Sequence, residues 1–215
     1  MPRSVKPRRT YDSPRRREQA RATRGAVLDA ARDLFVERGF VATTIQSIAD
    51  YAGVSPETVY ATFGSKRSLL SSVLDVSIAG DDATAPLLER PWVQEMRDEP
   101  DPPRRLQILA KNGTLILERV TPIYEVLRGA AAADAEIASL WEQHKSQRFA
   151  GQRELVRIVG TGGSLRAGLS ADVAASTLFA IGSPETYRLL TVDRGWSPAR
   201  FERWYADTLA QLLLD

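Results

Sequence analysis

The stretch from Thr44 to Lys66, Thr-Ile-Gln-Ser-Ile-Ala-Asp-Tyr-Ala-Gly-Val-Ser-Pro-Glu-Thr-Val-Tyr-Ala-Thr-Phe-Gly-Ser-Lys, constrains the fold more than any other. Ile45, Ile48, Ala49 and Ala52 recur at helical spacing behind Thr44, a capping residue. Gly53 can take the left-handed backbone that ends a helix, because it has no Cβ to clash. Ser55 then reads as an N-cap and Pro56 as a first helical residue, where the missing N–H would lack an intrahelical partner anyway. Val54, Val59 and Phe63 form the apolar side of this second helix. Thr58, Tyr60, Ala61 and Thr62 are left on the outside, small or hydrogen-bonding. Two short helices at a steep angle across a tight Gly-Val-Ser turn are a helix-turn-helix, and a groove-reading second helix needs such an outer face.

The chain here resembles the TetR family of bacterial transcriptional regulators. The resemblance runs from about Arg24 to Leu74. It includes the helix from Gly25 to Phe40 and the pattern Thr44, Ile48-Ala49, Ala52-Gly53-Val54-Ser55, Thr58, Tyr60, Phe63, Lys66 and Leu69. A generic three-helix fold could share the apolar positions but has no reason to share the outward Thr58, Tyr60 and Lys66. The resemblance implies an N-terminal three-helix DNA-binding domain and a C-terminal helical domain for effector binding and dimerisation. It implies double-stranded operator DNA, a second copy of the chain and an unidentified small-molecule effector as partners. A weaker resemblance covers Gly168 to Leu214, through Ser183-Pro-Glu-Thr-Tyr187 and Arg194-Gly-Trp-Ser-Pro198.

Composition narrows the alternatives. With no cysteine and one histidine among 215 residues, disulfides, thiolate chemistry and a conventional zinc site are not expected, and neither is a cofactor. Neither a membrane-length apolar run nor a signal peptide is visible, so the expected location is cytoplasmic, on the nucleoid. Charge is unevenly placed. Residues 1–24 hold nine basic side chains against Asp12 and Glu18, a surplus of seven; the chain's net charge is +2, so the remainder is acidic by five. The expected organisation is a disordered basic arm over 1–13, a helix-turn-helix domain over 14–65 and a helical body over 66–215.

No strand pattern or repeat appears, and the expected fold is all-α. A first helix should end at Gly39 with Val27, Leu28, Ala31, Leu34 and Phe35 inward, and a fourth should run from Lys66 to about Gly80. Residues 81–103, rich in proline, should hold a short helix packed on the body. A helix apolar nearly all round is expected from Arg104 to Val120, with Thr121-Pro122 opening the next. Asp134, Ser170 and Ser197 should cap later helices.

The resemblance assigns roles residue by residue. Thr44, Tyr60 and Lys66 would hold phosphates, with Thr62 assisting and Ser55 beside them. Gln46, Glu57 and Thr58 sit where family members reach bases, and Pro56 and Ala61 can touch thymine methyls. From Pro56 to Phe63 there is no Arg or Lys, so bidentate reading of guanine by arginine is not available from this helix. Glu57 can accept from a cytosine amino group or serve as a solvated first-turn acid. Effector-lining candidates are Trp92, Tyr124, Trp141, His144 and Phe179, each also open to a plain core role. Phe201, Trp204, Tyr205, Leu209 and Leu212 form the stripe expected at a dimer interface. Its alternative is a stripe packed within one monomer. Two other functions compete: a nucleoid-associated or division-related DNA-binding protein without an effector, and a helical enzyme. The enzyme reading lacks a triad, a phosphate loop or a metal constellation.

Overall fold

The computed structural model describes residues 14–82, 86–163 and 165–215. The basic arm expected over 1–13 lies outside them. Ten α-helices and no strand occur among the described residues. Helix α1 is Pro14–Ala42, α2 Ile45–Ala52, α3 Pro56–Phe63 and α4 Lys66–Ala79. A 3-10 turn at Leu87–Glu89 precedes α5 (Pro91–Asp98), followed by α6 (Pro102–Ala131) and α7 (Ala135–Val159). The chain closes with α8 (Ala171–Ile181), α9 (Pro184–Arg188), a π-turn at Leu189–Asp193 and α10 (Pro198–Leu213). No helix among the described residues is long and apolar enough to cross a membrane.

The boundaries follow local chemistry. The side chains of Thr44, Ser55, Asp134, Ser170 and Ser197 each accept from a backbone N–H in the first turn of the helix they open, satisfying donors that have no intrahelical partner. Thr44 and Ser47 make a reciprocal capping box. Gly53 ends α2 at φ 69°, a conformation costly for any residue with a Cβ.

Helix α6 is the axis of the molecule, in contact with α1, α4, α5, α7, α9 and α10. It corrects two expectations. It is one helix of 30 residues and continues through Pro122. The proline removes one intrahelical bond, and the Thr121 hydroxyl donates to the Leu117 carbonyl at 2.6 Å one turn earlier. Val120, Ile123, Tyr124 and Leu127 bury the surrounding turns, so packing overrides the local break. Nor is its first half buried all round, since Leu115 is 45% exposed.

Two apolar clusters share this axis. One joins α1 to α4 with the C-terminal half of α6 and the start of α7. The other joins α5, the N-terminal half of α6, the end of α7 and helices α8 to α10. Helix α4 thus packs with the helix-turn-helix and with α6 in one core, so the apolar packing continues across the 65/66 boundary.

Candidate DNA-facing surface and effector cavity

The helix-turn-helix is built from the inside outward. Ile48, Ala49 and Val59 have no exposed surface, and Ala49 is small where helices meet. On the outside, Thr44, Gln46, Ser55, Glu57, Ala61 and Thr62 are exposed, Tyr60 is 54% exposed, and Pro56 and Thr58 are half-buried. These side chains are held by short local bonds. Gln46 Nε2 donates to Asp50 at 2.8 Å, the Ser55 and Thr58 hydroxyls lie 3.2 Å apart, and Thr62 donates to the Thr58 carbonyl at 2.8 Å. The Glu57 carboxylate is held below its ordinary range first by a hydrogen bond with Ser55, which favours the first-turn-acid reading.

Lys66 behaves differently from its neighbours. Its ammonium points inward and donates to the Phe40 and Thr43 carbonyls, both at 2.8 Å, and lies 4.3 Å from the centre of the Phe40 ring. Burial lowers its pKa. The Thr43 hydroxyl, wholly buried, donates to Leu34 and Gly39 carbonyls at 3.0 and 2.8 Å. Gly39 (φ 78°, ψ 168°) breaks α1 here, and Thr43 and Lys66 together satisfy the Gly39 and Phe40 carbonyls at the kink. Thr43 was not singled out from the sequence; its only signal was a hydroxyl directly after the last residue of α1. Arg24, counted in the basic segment, is also committed internally, to Asp82 at 2.8 Å and the Phe63 ring at 4.7 Å.

Helices α4, α6 and α7 enclose a cavity of about 750 Å³, within the range that binds small molecules. Trp92, Tyr124 and His144 line it, but Trp141 and Phe179 do not. Trp141 packs edge-on against Tyr124 at 4.9 Å in the first cluster, and Phe179 lies against Phe149 at 5.6 Å, under the Arg148 guanidinium. Both rings are structural supports behind the wall. The polar lining includes residues not assigned to the effector from sequence, among them Asp75, Arg148, Gln152 and Tyr205. Their signal was available for Arg148, a charged residue on the otherwise apolar stripe of α7. Burial lowers the His144 pKa, with Asp75 opposing, and raises that of Asp75. Burial also raises Tyr124, lowers Arg148 and pushes the Tyr205 hydroxyl far up. Among the described residues no cluster of metal-ligating side chains occurs.

The stripe of α10 faces its own monomer. Phe201 and Leu209 are wholly buried and Tyr205 nearly so, packed with Leu178, Tyr187 and Val159. These three cannot be the surface offered to a second chain, a correction whose cause is that α6 and α8 already cover that side. Trp204 is half-buried against Trp196 and Phe201, and Leu212 is 37% exposed. Val173 on α8 and Leu189 and Val192 of the π-turn are the other large apolar side chains exposed in this part of the chain.

Residues 27–73 match the family model described as "Bacterial regulatory proteins, tetR family". The HTH-type transcriptional repressor Rv3405c of Mycobacterium tuberculosis is 33% identical over 127 residues, 54% of this chain and 68% of that protein. The HTH-type transcriptional regulator TtgR of Pseudomonas putida is 27% identical over 172 residues, 77% of this chain and 79% of that protein. Among solved structures, NalD of Pseudomonas aeruginosa, described as the secondary repressor of the MexAB-OprM multidrug efflux pump, superposes with a TM-score of 0.67 at 22% identity, covering 92% of this chain and 98% of that one.

Proposed function

The chain belongs to the TetR family of bacterial transcriptional regulators, and from that premise we propose that it is a dimeric repressor that leaves its operator when a small molecule enters the α4–α6–α7 cavity. The observation that carries this reading is the double duty of α4. Its first residue, Lys66, secures the chain at the entry to the helix-turn-helix, while Ser72, Asp75, Val76 and Ala79 line the cavity. A ligand that pushes on the last two turns of α4 therefore acts on the same rigid rod that carries the DNA-binding head. At the far end Arg119 of α6 donates to the Ser77 and Ile78 carbonyls at 3.1 and 3.4 Å, tying α4 to the axis helix. Arg67 ties the near end to Asp134 and Glu136 at the start of α7.

In a dimer two recognition helices must enter successive major grooves about 34 Å apart. A small tilt of α4 changes that spacing, so a ligand preferring the tilted state weakens DNA binding, and DNA weakens ligand binding by the same factor. Gln46, Thr58, Pro56 and Ala61 are proposed to face bases, Glu57 to serve as a first-turn acid, and Thr44, Ser55, Tyr60 and Thr62 to face phosphate. Lys66 acts in this scheme chiefly by holding the head together. The second copy is proposed to pack on α8 and α10 through Leu212, Trp204 and Val173. The protein acts in the cytoplasm, on the nucleoid, and not as an enzyme.

A genome-wide map of bound sites, repeated in cells grown on candidate effectors, tests the proposal. A few sites, emptied by one compound, support it. Binding spread over the chromosome that no compound changes would count against an effector-released repressor.

A further inference from the structure

We propose that the cavity is built for an amphipathic carboxylate, a monoanion seated on Arg148 with its hydrocarbon part along the apolar walls of α6 and α8. This rests on the reading of the cavity as the effector site. The walls are largely apolar, including Leu109, Ile116, Leu117, Val120 and Leu178. Against them α7 presents His144, Arg148 and Gln152, four residues apart, hence stacked one turn above another on a single face. That polar ladder spans about 12 Å of helix.

The charges in the wall are not equally satisfied. Arg24 pairs with Asp82, Asp81 with Arg90, and Glu154 with Arg157. Arg148 instead lies over the Phe179 ring, 3.7 Å from its centre, and donates through Nη1 to the Phe179 and Gly182 carbonyls at 3.1 and 3.4 Å. These are neutral acceptors at the end of α8, and Glu185 acts on it only at longer range. Its Nε is buried without a partner. The phenols of Tyr124 and Tyr205 lie close enough to the same guanidinium for its charge to act on both. A desolvated cation held in place without a carboxylate, beside two hydroxyls that can donate, is what a single carboxylate needs.

A cationic ligand has one place to go, Asp75. That residue is exposed and keeps part of its water, although burial of the rest raises its pKa, and buried His144 is its opposite partner. A dianion would leave one charge unmatched, because Arg148 is the only such cation among the described lining residues.

Isothermal titration of the full-length protein with dodecanoate, dodecan-1-ol and dodecyltrimethylammonium, three probes of equal chain length, decides the matter. Dodecanoate should bind at least tenfold more tightly than the other two. Arg148→Met should erase that difference, Arg148→Lys should keep most of it, and Asp75→Asn, which removes a like charge from the wall, should not diminish it. If Arg148→Met fails to fold, the ranking of the three probes on the unmodified protein still decides. Tighter binding of the alcohol or the ammonium, equal binding of all three, or no binding of dodecanoate overturns the proposal. A parallel measurement on DNA selected from a random pool separates this from the repressor reading. Dodecanoate that binds without releasing DNA upholds the carboxylate site and refutes the effector role. Release of DNA by the alcohol or ammonium alone upholds the effector role and refutes the carboxylate site.

Discussion

Replacing Lys66 with Met isolates what its ammonium does, because the methionine keeps an unbranched apolar stem beside Phe40. The substitution deletes two charge-assisted bonds, to the Phe40 and Thr43 carbonyls at 2.8 Å, and the cation's interaction with the Phe40 ring. A hydrogen bond to a charged group contributes about 1.5–3 kcal/mol, and a cation over an aromatic ring about 0.5–1 at an open site. Lys66 is half-buried, so water can reach part of the vacated place and the two carbonyls recover some solvation. The net loss should be about 2–3 kcal/mol, read as a lower urea midpoint with an unchanged slope. A lysine used on phosphate would behave otherwise. Stability would stay within about 0.5 kcal/mol, and the slope of log K against log salt would flatten by about 0.9. Urea unfolding and a salt titration of DNA binding on Lys66→Met and the unmodified protein separate the two. An unchanged midpoint with a flattened salt slope refutes the structural role.

Leu209→Ala should cost about 2–5 kcal/mol of monomer stability, because the residue is wholly buried, whereas Leu212→Arg should leave the unfolding midpoint of the isolated chain intact and weaken self-association; light scattering with urea unfolding checks both. His144 has a pKa lowered from 6.5 by burial, so the unfolded chain takes up its proton first and stability falls as pH drops below about 6.5 until the folded pKa is passed; His144→Asn should flatten that fall, followed by thermal melts. Asp75 acts with opposite sign, its raised pKa giving stability below the folded value that is lost as pH rises through it, so Asp75→Asn should steepen the net acid loss in the same melts. Deleting residues 1–13 removes Arg3, Lys6, Arg8 and Arg9 and should weaken binding to all DNA and flatten the salt slope, by about 0.9 for each phosphate that is no longer neutralised.

Much of the fold was legible because its boundaries are local. Thr44, Ser55, Asp134, Ser170 and Ser197 cap helices through bonds within three residues, and Gly53 and Gly80 take the positive φ that ends α2 and α4. What was not legible depends on partners distant in sequence. Pro122 reads as a boundary, yet the packed turns around it hold α6 together. The stripe of α10 says that a face is buried, not which chain buries it, and Phe201, Tyr205 and Leu209 face their own monomer. Lys66 occupies a family position whose side chain reaches back 26 residues to Phe40, which spacing within one helix cannot show. In the cavity, aromatic residues on apolar stripes were divided by tertiary placement alone: Trp92 and Tyr124 form wall, Trp141 and Phe179 the backing behind it. Arg148 was visible as a charge on a buried stripe, but only its position over Phe179, without a carboxylate, shows what such a charge is doing there.

That the outer surface of α2 and α3 reads base edges, with no arginine or lysine between Pro56 and Phe63, is tested most directly by fluorescence anisotropy. The unmodified protein, Gln46→Ala and Thr58→Ala would each be titrated onto a DNA site selected from a random pool and onto the same site scrambled. Both side chains lie on the outer surface, so neither variant should lose its fold. The unmodified protein should prefer the selected site, and each variant should lose about tenfold of that preference, or about 1.4 kcal/mol, while its affinity for scrambled DNA changes little. An unchanged preference in both variants, or an equal loss on both DNAs, would contradict it.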